Sequence, residues 1–249
     1  MNKLNDEIVY GKNPVIELLR SGKPVNKVLM VSENTSERNH EILSLLQERN
    51  IPYQFVKRQV LDRLVQKESH QGILAYIAAR EYAEVEDILA LAEERQEDPF
   101  ILMLDEIEDP HNLGALLRTA DAVGAHGVII PKRRSVSLTG TVAKTSAGAV
   151  EYVLVARVSN LVQTIKDLKK RGCWVSGAEA GGGHVFTADL TGPRVIVIGS
   201  EGKGISRLLR ENCDEIVSLP MKGRVTSLNA SVAGSVMLYE VLRQRSMKQ

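Results

Sequence analysis

The sequence is poor in the residues that cross-link chains or hold metals. Its 249 residues include two cysteines, Cys173 and Cys213, and no CxxC pair. The five histidines never fall at the spacing of zinc ligands. These absences argue against a disulfide framework and against a structural metal.

Long hydrophobic runs are also missing. The longest apolar run covers eight residues, 72–79, whereas a bilayer-spanning helix needs about 20. Charged residues interrupt the first 20 positions, so no secretory signal can be drawn there. We therefore expect a cytoplasmic protein without a transmembrane helix.

Aromatic residues number only ten, which argues against a base-stacking platform for single-stranded nucleic acid. The net charge of +1 conceals a segregation, because residues 1–80 carry +3, residues 81–110 carry −11 and residues 111–249 carry +9. Two basic flanks favour a nucleic-acid partner electrostatically. Recognition of RNA would then depend on arginine, lysine and shape.

Helical and strand patterns alternate along the chain and predict an α/β protein. Residues 1–80 predict a small α/β domain, residues 81–98 an acidic linker with one short helix, and residues 99–249 a parallel sheet covered on both faces. In the first domain we predict a turn and helix over Val9–Arg20 and strands at Lys27–Val31, Tyr53–Val56 and Gly72–Ala78. In the larger domain the apolar runs Phe100–Asp105 and Val195–Gly199 predict buried strands.

Three loops at the ends of predicted strands could carry chemistry, since open α/β sheets bind ligands there. The first covers 105–118, where Asn112 is placed to cap a helix and Arg118 lies about two turns along it. A capped helix with a surface arginine is the structural alternative.

The second loop is Gly199-Ser-Glu-Gly-Lys-Gly204, which lacks the spacing of a phosphate loop. Its glycines allow the backbone to approach a flat ligand, and Glu201 supplies a carboxylate. A tight strand-to-helix turn is the alternative interpretation. The glycine-rich run 177–183 is interpreted as a flexible loop.

The third loop begins at Leu219 and leads into a helix, for which Ser227 is the expected N-cap. Small residues fill the first turns of that helix. They permit close approach by another helix, another subunit or a ligand, or they reflect tight core packing.

Taken together and in this order, the three loops closely resemble the sequence blocks of the SpoU (TrmH-like) family of RNA ribose 2′-O-methyltransferases. The resemblance spans roughly residues 100–245. The N-terminal portion, with Tyr10-Gly11 and His70-Gln71-Gly72, is similar to the ribosomal-protein-like RNA-binding domain of the branch that modifies large-subunit ribosomal RNA. The matching block residues are Asn112, Gly114, Arg118, Gly199, Glu201, Gly202, Gly204, Pro220, Met221, Gly223, Ser227, Leu228, Asn229, Ser231 and Ala233.

The resemblance implies S-adenosylmethionine as methyl donor, a ribose 2′-hydroxyl as acceptor, no metal, and a C-terminal trefoil knot. By motif position the donor would be held by Gly199, Leu219 and Leu228, with Met221 and Ser227 nearby. True knots are rare, and the residues alone would have predicted an unknotted sheet.

The resemblance also implies that Arg118 activates the acceptor, oriented with the substrate by Asn112, Glu201 and Asn229. From the residues alone, Glu201 is the ordinary candidate for a general base. Arginine is a poor base, so Arg118 either takes the proton or stabilises the developing alkoxide.

Basic residues near the loops are expected phosphate contacts, and family members act as homodimers. The favoured function is methylation of a guanosine in 23S (large-subunit) ribosomal RNA. A transfer RNA 2′-O-methyltransferase and a non-enzymatic RNA-binding or ribosome-assembly protein are the alternatives. The expected RNA-binding residues are Lys132, Arg133, Arg134, Lys203, Arg207 and Arg224.

Overall fold

The computed structural model describes residues 7–22, 25–31, 37–65, 70–77, 82–224 and 227–247. The chain divides into two compact units, Met1–Arg80 and Glu81–Gln249. Within the described residues, no helix is both long enough and apolar enough to cross a bilayer.

In its described part, the first unit contains a mixed four-stranded sheet in the order β1-β4-β2-β3. Strands β2 and β3 are parallel, and β4 runs antiparallel to both β1 and β2. The elements are β1 (Glu7–Tyr10), α1 (Lys12–Arg20), β2 (Val25–Val31), α2 (Glu37–Glu48), β3 (Tyr53–Val56), α3 (Arg58–Leu64) and β4 (Ile73–Ile77).

Strand β1 is absent from the sequence prediction, in which a turn and a helix over Val9–Arg20 are the first elements of this region. The strand has only four residues, and it pairs with β4 about 65 positions later, as in the pair Tyr10 with Leu74. Such a short strand gives too few alternations for its period to be recognised.

The sheet of the first unit buries apolar side chains on both faces. Val28 and Met30 of β2 pack in one cluster with residues of α1 and α2. Leu29 and Val31 point the other way, into a cluster with Leu61 of α3. This alternation follows from the two-residue period of a strand.

The second unit contains a six-stranded parallel sheet in the order β10-β8-β9-β5-β6-β7, as predicted. Its strands are β5 (Phe100–Leu104), β6 (Gly127–Pro131), β7 (Leu154–Val158), β8 (Trp174–His184), β9 (Arg194–Ile198) and β10 (Glu215–Ser218). Its helices are α4 (Val85–Glu94), α5 (Pro110–Ala122), α6 (Gly140–Thr145), α7 (Leu161–Lys170), α8 (Arg207–Asn212) and α9 (Ala230–Ser246).

Helices cover both faces of this sheet. Leu116 of α5 and Met237 of α9 belong to one buried cluster, and Ile165 of α7 belongs to the other. The helix predicted within residues 81–98 is α4, and its Ile88 is fully buried in the same cluster as α7. A side chain at Gly127 of β6 would begin 2.5 Å from Ile88, so α4 lies very close to the sheet.

The interpretation of residues 177–183 as a flexible loop is wrong. They form the second half of β8, where Gly177 pairs with Ile216 and Gly183 with Val217 of β10. The register shifts between these two pairs, so residues 178–182 bulge from the strand. Backbone pairing with β9 at its start and with β10 at both of its ends holds this run, and no local pattern reveals either pairing.

Candidate functional site

A cavity of about 510 Å³ lies beside the middle of β8, where β9 and β10 end and α9 begins. Its walls are mostly apolar or backbone. The residues that line it are Ala178, Glu179, Ala180, Ile198, Gly199, Ser200, Glu201, Gly202, Lys203, Gly204, Val217, Leu219, Met221, Ser227, Leu228, Ala230, Ala233 and Met237. The five residues expected to bind the methyl donor, Gly199, Leu219, Met221, Ser227 and Leu228, are all among them.

Glycines shape the loop after β9. Ser200 and Gly204 exchange two backbone hydrogen bonds, which fold the loop back on itself. A Cβ atom at Gly199 would lie 2.1 Å from the Gly204 carbonyl carbon, so only glycine fits there. Gly202 and Gly204 have φ of +83° and +67°, which also favours glycine. The loop thereby presents backbone, with little side-chain bulk, to the cavity.

Three polar side chains from distant parts of the chain meet beside the cavity. Asn112 donates from Nδ2 to Oε1 of Glu201 at 3.0 Å, and Asn229 donates to Oδ1 of Asn112 at 3.0 Å. Asn229 also donates to Oε1 of Glu201. We call these residues the polar triad. Its carboxylate lies at the N-terminus of α9, where a helix favours negative charge.

Two N-caps differ from the sequence analysis. Helix α5 is capped by Asp109, whose Oδ1 accepts from the His111 amide at 2.9 Å, so Asn112 is not the cap. Helix α9 is capped by Asn229, whose Oδ1 accepts from the Ser231 amide at 2.9 Å, so Ser227 is not the cap. Freed from capping, Asn112 is buried and its side chain serves the polar triad.

Small residues at the start of α9 serve two purposes. A Cβ atom at Gly234 would lie 2.5 Å from Leu116 of α5, which shows close helix packing at that point. Ala230 and Ala233 line the cavity instead. Core packing, one of the alternatives that the sequence left open, is therefore observed at Gly234, while approach of a ligand to Ala230 and Ala233 stays a prediction.

Arg118 is not brought to the polar triad within this chain. It is exposed on α5 and does not line the cavity. Among the described residues it makes no ion pair or side-chain hydrogen bond. Six residues along a helix correspond to about 9 Å of rise and 240° of rotation, so Asn112 and Arg118 face different directions.

Half of the six expected phosphate contacts are paired with carboxylates of described residues, and half are not. Arg134 pairs with Glu106 at 2.6 Å, Lys203 approaches the same carboxylate at 3.8 Å, and Arg134 lowers the pKa of Glu106 below its ordinary value through this hydrogen bond. Arg207 pairs with Glu211 at 3.7 Å. Of the six expected contacts, Lys132, Arg133 and Arg224 make no ion pair with a described residue, and all three are exposed.

Arg133 and Arg207 also line a second cavity, of about 450 Å³, at the ends of β5 and β6. Asp105 stands in its wall and accepts a hydrogen bond from the Ser206 amide at 2.7 Å. This bond ties the end of β5 to the start of α8.

Glu179 is a site residue that the sequence analysis missed. It lines the first cavity, and its Oε2 accepts from Nε of Arg210 on α8 at 2.5 Å. Its position in the bulge of β8 explains the omission, because the surrounding glycine and alanine residues resemble a flexible loop. The one available signal was a lone carboxylate directly after a buried strand.

Comparison with known proteins assigns both units of the chain to family models. Residues 99–239 match the model described as the SpoU rRNA Methylase family. Residues 8–83 match the model described as RNA 2′-O ribose methyltransferase substrate binding.

Individual relatives match along nearly the whole chain. The putative TrmH family tRNA/rRNA methyltransferase YacO of Bacillus subtilis (strain 168) is 50% identical over 241 residues, covering 96% of each chain. A putative TrmH family tRNA/rRNA methyltransferase of Staphylococcus aureus (strain MSSA476) is 47% identical over 245 residues, covering 97% of this chain and 98% of the relative. The crystal structure of the SpoU methyltransferase AviRb from Streptomyces viridochromogenes in complex with AdoMet is 26% identical, with a TM-score of 0.67, covering 96% of this chain and 90% of that one.

Proposed function

The chain belongs to the SpoU rRNA methylase family and is an S-adenosylmethionine-dependent RNA 2′-O-ribose methyltransferase, and from this premise we propose that it methylates a guanosine in 23S (large-subunit) ribosomal RNA. The observation that carries the proposal is the separate N-terminal unit, which matches a substrate-binding model over residues 8–83. Its sequence is similar to the RNA-binding domain of the ribosomal branch. Transfer RNA is the second candidate, since the relatives' names include both substrates.

The division of labour follows the two units. Residues 1–80 bind the RNA substrate, residues 81–98 form an acidic linker whose helix α4 packs on the sheet of the second unit, and residues 99–249 form the methyltransferase domain. The C-terminal part of this domain is threaded as a trefoil knot. Support for the knot comes from family membership. Stretching a single molecule between residues 99 and 249 would test it, because a knotted chain extends less than the roughly 3.3–3.6 Å per residue of a free one.

The first cavity fits the methyl donor. Its volume of about 510 Å³ lies within the usual range for small-molecule sites, and its apolar walls and backbone edges suit an adenine ring. Leu219, Leu228 and Met221 supply apolar contact, while Gly199 and Ser227 supply backbone and hydroxyl groups. When bound, S-adenosylmethionine supplies a methyl group on a positively charged sulfur.

Arg118 carries the chemistry at the acceptor. The ribose 2′-oxygen must lose its proton as it forms a bond to the methyl carbon, and a guanidinium stabilises the negative charge that develops there. The polar triad of Asn112, Glu201 and Asn229 fixes the start of α9 and orients the RNA. Contacts with phosphates come from Lys132, Arg133, Arg134, Lys203, Arg207 and Arg224.

A homodimer accounts for an exposed strip on α9. Val232, Val236 and Tyr239 are 48%, 37% and 53% exposed and follow one another at helical spacing. Arg118 is exposed on α5, the helix against which α9 packs. Covering the strip with a second copy would bury these side chains and place Arg118 near the partner. Light scattering should give about twice 27.4 kDa, and a monomer at micromolar concentration would contradict the dimer.

The deciding experiment is methyl transfer from labelled S-adenosylmethionine to deproteinised RNA from cells that lack this gene. Nuclease digestion and mass spectrometry then identify the product. We expect 2′-O-methylguanosine in large-subunit RNA with the wild type and none with Arg118→Ala. Label in transfer RNA would replace the proposed substrate with the second candidate.

A further inference from the structure

We infer that one edge of the sheet in the first unit binds unpaired bases of single-stranded RNA. The surface consists of Tyr53, Phe55, Lys57 and Arg58, which we call the β3 strip. This inference rests on the proposed function, in which the first unit holds the RNA, and it names the residues and the form of RNA involved.

The β3 strip lies on an open edge. Among the residues that the structure describes, strand β3 is last in the order β1-β4-β2-β3 and pairs with β2 alone. Tyr53 and Phe55 are two positions apart on this strand and therefore point to the same face. The two residues are 38% and 50% exposed, and their ring centroids lie 5.8 Å apart with the ring planes at 83°. Lys57 has extended backbone, so it continues the same alternation.

The two rings are not needed to build the core. Their neighbours across the strand pair, Val28 and Met30, are buried in the cluster beneath α1 and α2. Tyr53 and Phe55 belong to neither cluster of the unit. On the opposite edge of the sheet, Tyr10 of β1 is packed against a cluster. Adjacent exposed aromatic rings on an unpaired edge favour association, so a partner is expected here and not at β1.

The adjoining charge identifies that partner as RNA. Lys57 and Arg58 directly follow the strand and are exposed. Neither makes an ion pair or a side-chain hydrogen bond within the part of the chain that the structure describes. Aromatic faces beside free cations match an unpaired nucleotide, which offers a base to stack and a phosphate to pair. A duplex hides its base faces. Ten aromatic residues are too few for an extended platform, but two adjacent rings suffice for one or two bases.

The test measures binding of a ten-nucleotide oligouridylate to the full chain by fluorescence anisotropy. The double variant Tyr53→Ala/Phe55→Ala should bind about tenfold more weakly or worse. The aromatic exchange Tyr53→Phe/Phe55→Tyr should bind like the wild type. Tyr152→Ala removes a ring that is 78% exposed on the other unit, and it should leave affinity unchanged. Thermal unfolding and donor binding should be the same for all variants.

Two further readouts separate stacking from charge. Trp174 is the only tryptophan, so the variant Phe55→Trp/Trp174→Phe reports on the strip alone, and its emission should be quenched by the oligonucleotide. Lys57→Ala/Arg58→Ala should reduce the slope of log affinity against log salt by about 1.4, the value for two phosphates on a single strand.

Three outcomes would overturn the inference. The double alanine variant could bind oligouridylate as tightly as the wild type. It could weaken duplex RNA equally, which would remove the preference for unpaired bases. It could instead turn a dimer into a monomer with RNA affinity unchanged, which would assign the edge to a second copy. The methyl-transfer experiment is independent, since label in transfer RNA would change the proposed substrate and leave the oligouridylate result standing.

Discussion

The two ends of the six-stranded sheet both carry polar side chains, but they use them differently. Where β5 and β9 begin, Arg194 is buried and donates to Glu215 and Ser176, both at 3.0 Å. Arg245 donates to the carbonyls of residues 98, 99 and 192 and stacks on Phe100, with its guanidinium 4.9 Å from the ring centroid. The terminal nitrogens of both guanidinium groups donate within the protein, and only Nε of each is buried without a hydrogen-bond partner among the described residues.

Beyond the end of β9 and on helix α5, charged groups face a cavity or the solvent instead. Arg118 is exposed and unpaired within the described residues, and the carboxylate of Glu201 lies at the wall of a cavity. The contrast suggests a rule for this molecule. We propose that buried polar groups whose donors are used internally hold the fold, while polar groups that line the cavity or are exposed on the surface contact the substrates. The following predictions test the rule from both ends.

The largest effect on stability is expected at Arg194, where β9 begins. Arg194→Met leaves Glu215 and buried Ser176 without their donor, and removing one partner of a buried pair costs about 3–5 kcal/mol. We expect a loss near the lower value, because the Glu215 side chain is 29% exposed. Urea unfolding measures it. Turnover per folded molecule at low temperature should stay at the wild-type level.

Lys170→Met is the matched control for this change. It breaks the ion pair between Lys170 and Asp167, whose side chains are 73% and 52% exposed. The free energy of unfolding should therefore change by less than about 0.5 kcal/mol. Equal losses for the two variants would show that the buried end does not contribute as proposed.

Arg118→Ala tests whether the exposed guanidinium on α5 takes part in methyl transfer. Loss of a group that stabilises developing charge should reduce kcat by about 100- to 1,000-fold, with thermal stability and donor binding unchanged. Arg118→Lys keeps the charge but loses the guanidinium fork, so its kcat should lie between those of the wild type and Arg118→Ala. Near wild-type turnover of Arg118→Ala would remove this residue from the mechanism.

Mixing variants asks which cavity Arg118 serves. Because it lies outside the cavity of its own chain, we expect Arg118→Ala mixed with a donor-binding variant such as Leu228→Arg to recover about a quarter of wild-type activity. Half of randomly mixed dimers are heterodimers, and each would have one complete site. No recovery after subunit exchange would mean that Arg118 acts within its own chain.

Glu201→Gln gives a smaller effect and separates two roles. The amide keeps an oxygen that can accept from Asn112 and Asn229, so a positioning role predicts about a tenfold loss of kcat. A general base predicts 100- to 10,000-fold. Glu211→Gln, on the surface of α8, should leave kcat unchanged. Loss in the larger range would transfer proton removal to Glu201.

The sequence predicted the parts of this molecule that depend on local pattern. The apolar runs that form β5 and β9 were recognised, and both strands are buried along their whole length. Local signals were misread at the caps. Pro110 at the first helical position marked Asp109 as the cap of α5, although Asn112 also has a suitable side chain.

The polar triad could not be derived from spacing. Asn112 and Glu201 are 89 residues apart, and Asn112 and Asn229 are 117 apart. Their association depends on the order of strands in the sheet, which no local pattern contains. Resemblance to a family brought the three residues together, but it did not show that Arg118 would face away from them.

The smallest expected effect is a pH dependence of stability that arises from His126, beside the start of β5. This buried ring accepts from the Phe100 amide at Nδ1, and its Nε2 lies 3.0 Å from Glu97. Burial lowers the pKa of His126 below its ordinary value of 6.5, and the hydrogen bond with Glu97 opposes this only in part. The folded state therefore binds a proton less readily than the unfolded state. Stability is fully present above about pH 6.5 and decreases as the pH falls toward the folded pKa.

Urea unfolding between pH 7.5 and 5 should show that decrease, and His126→Asn should reduce it. The asparagine Oδ1 can still accept from the Phe100 amide, so the variant removes the titrating group while keeping the buried hydrogen bond. His184→Gln, a change to an exposed histidine at the other end of β8, should leave the pH dependence as it is in the wild type. Equal slopes in wild type and His126→Asn would mean that the acid sensitivity arises elsewhere. A smaller dependence of stability on pH in His126→Asn would show that protonation of His126 is coupled to folding.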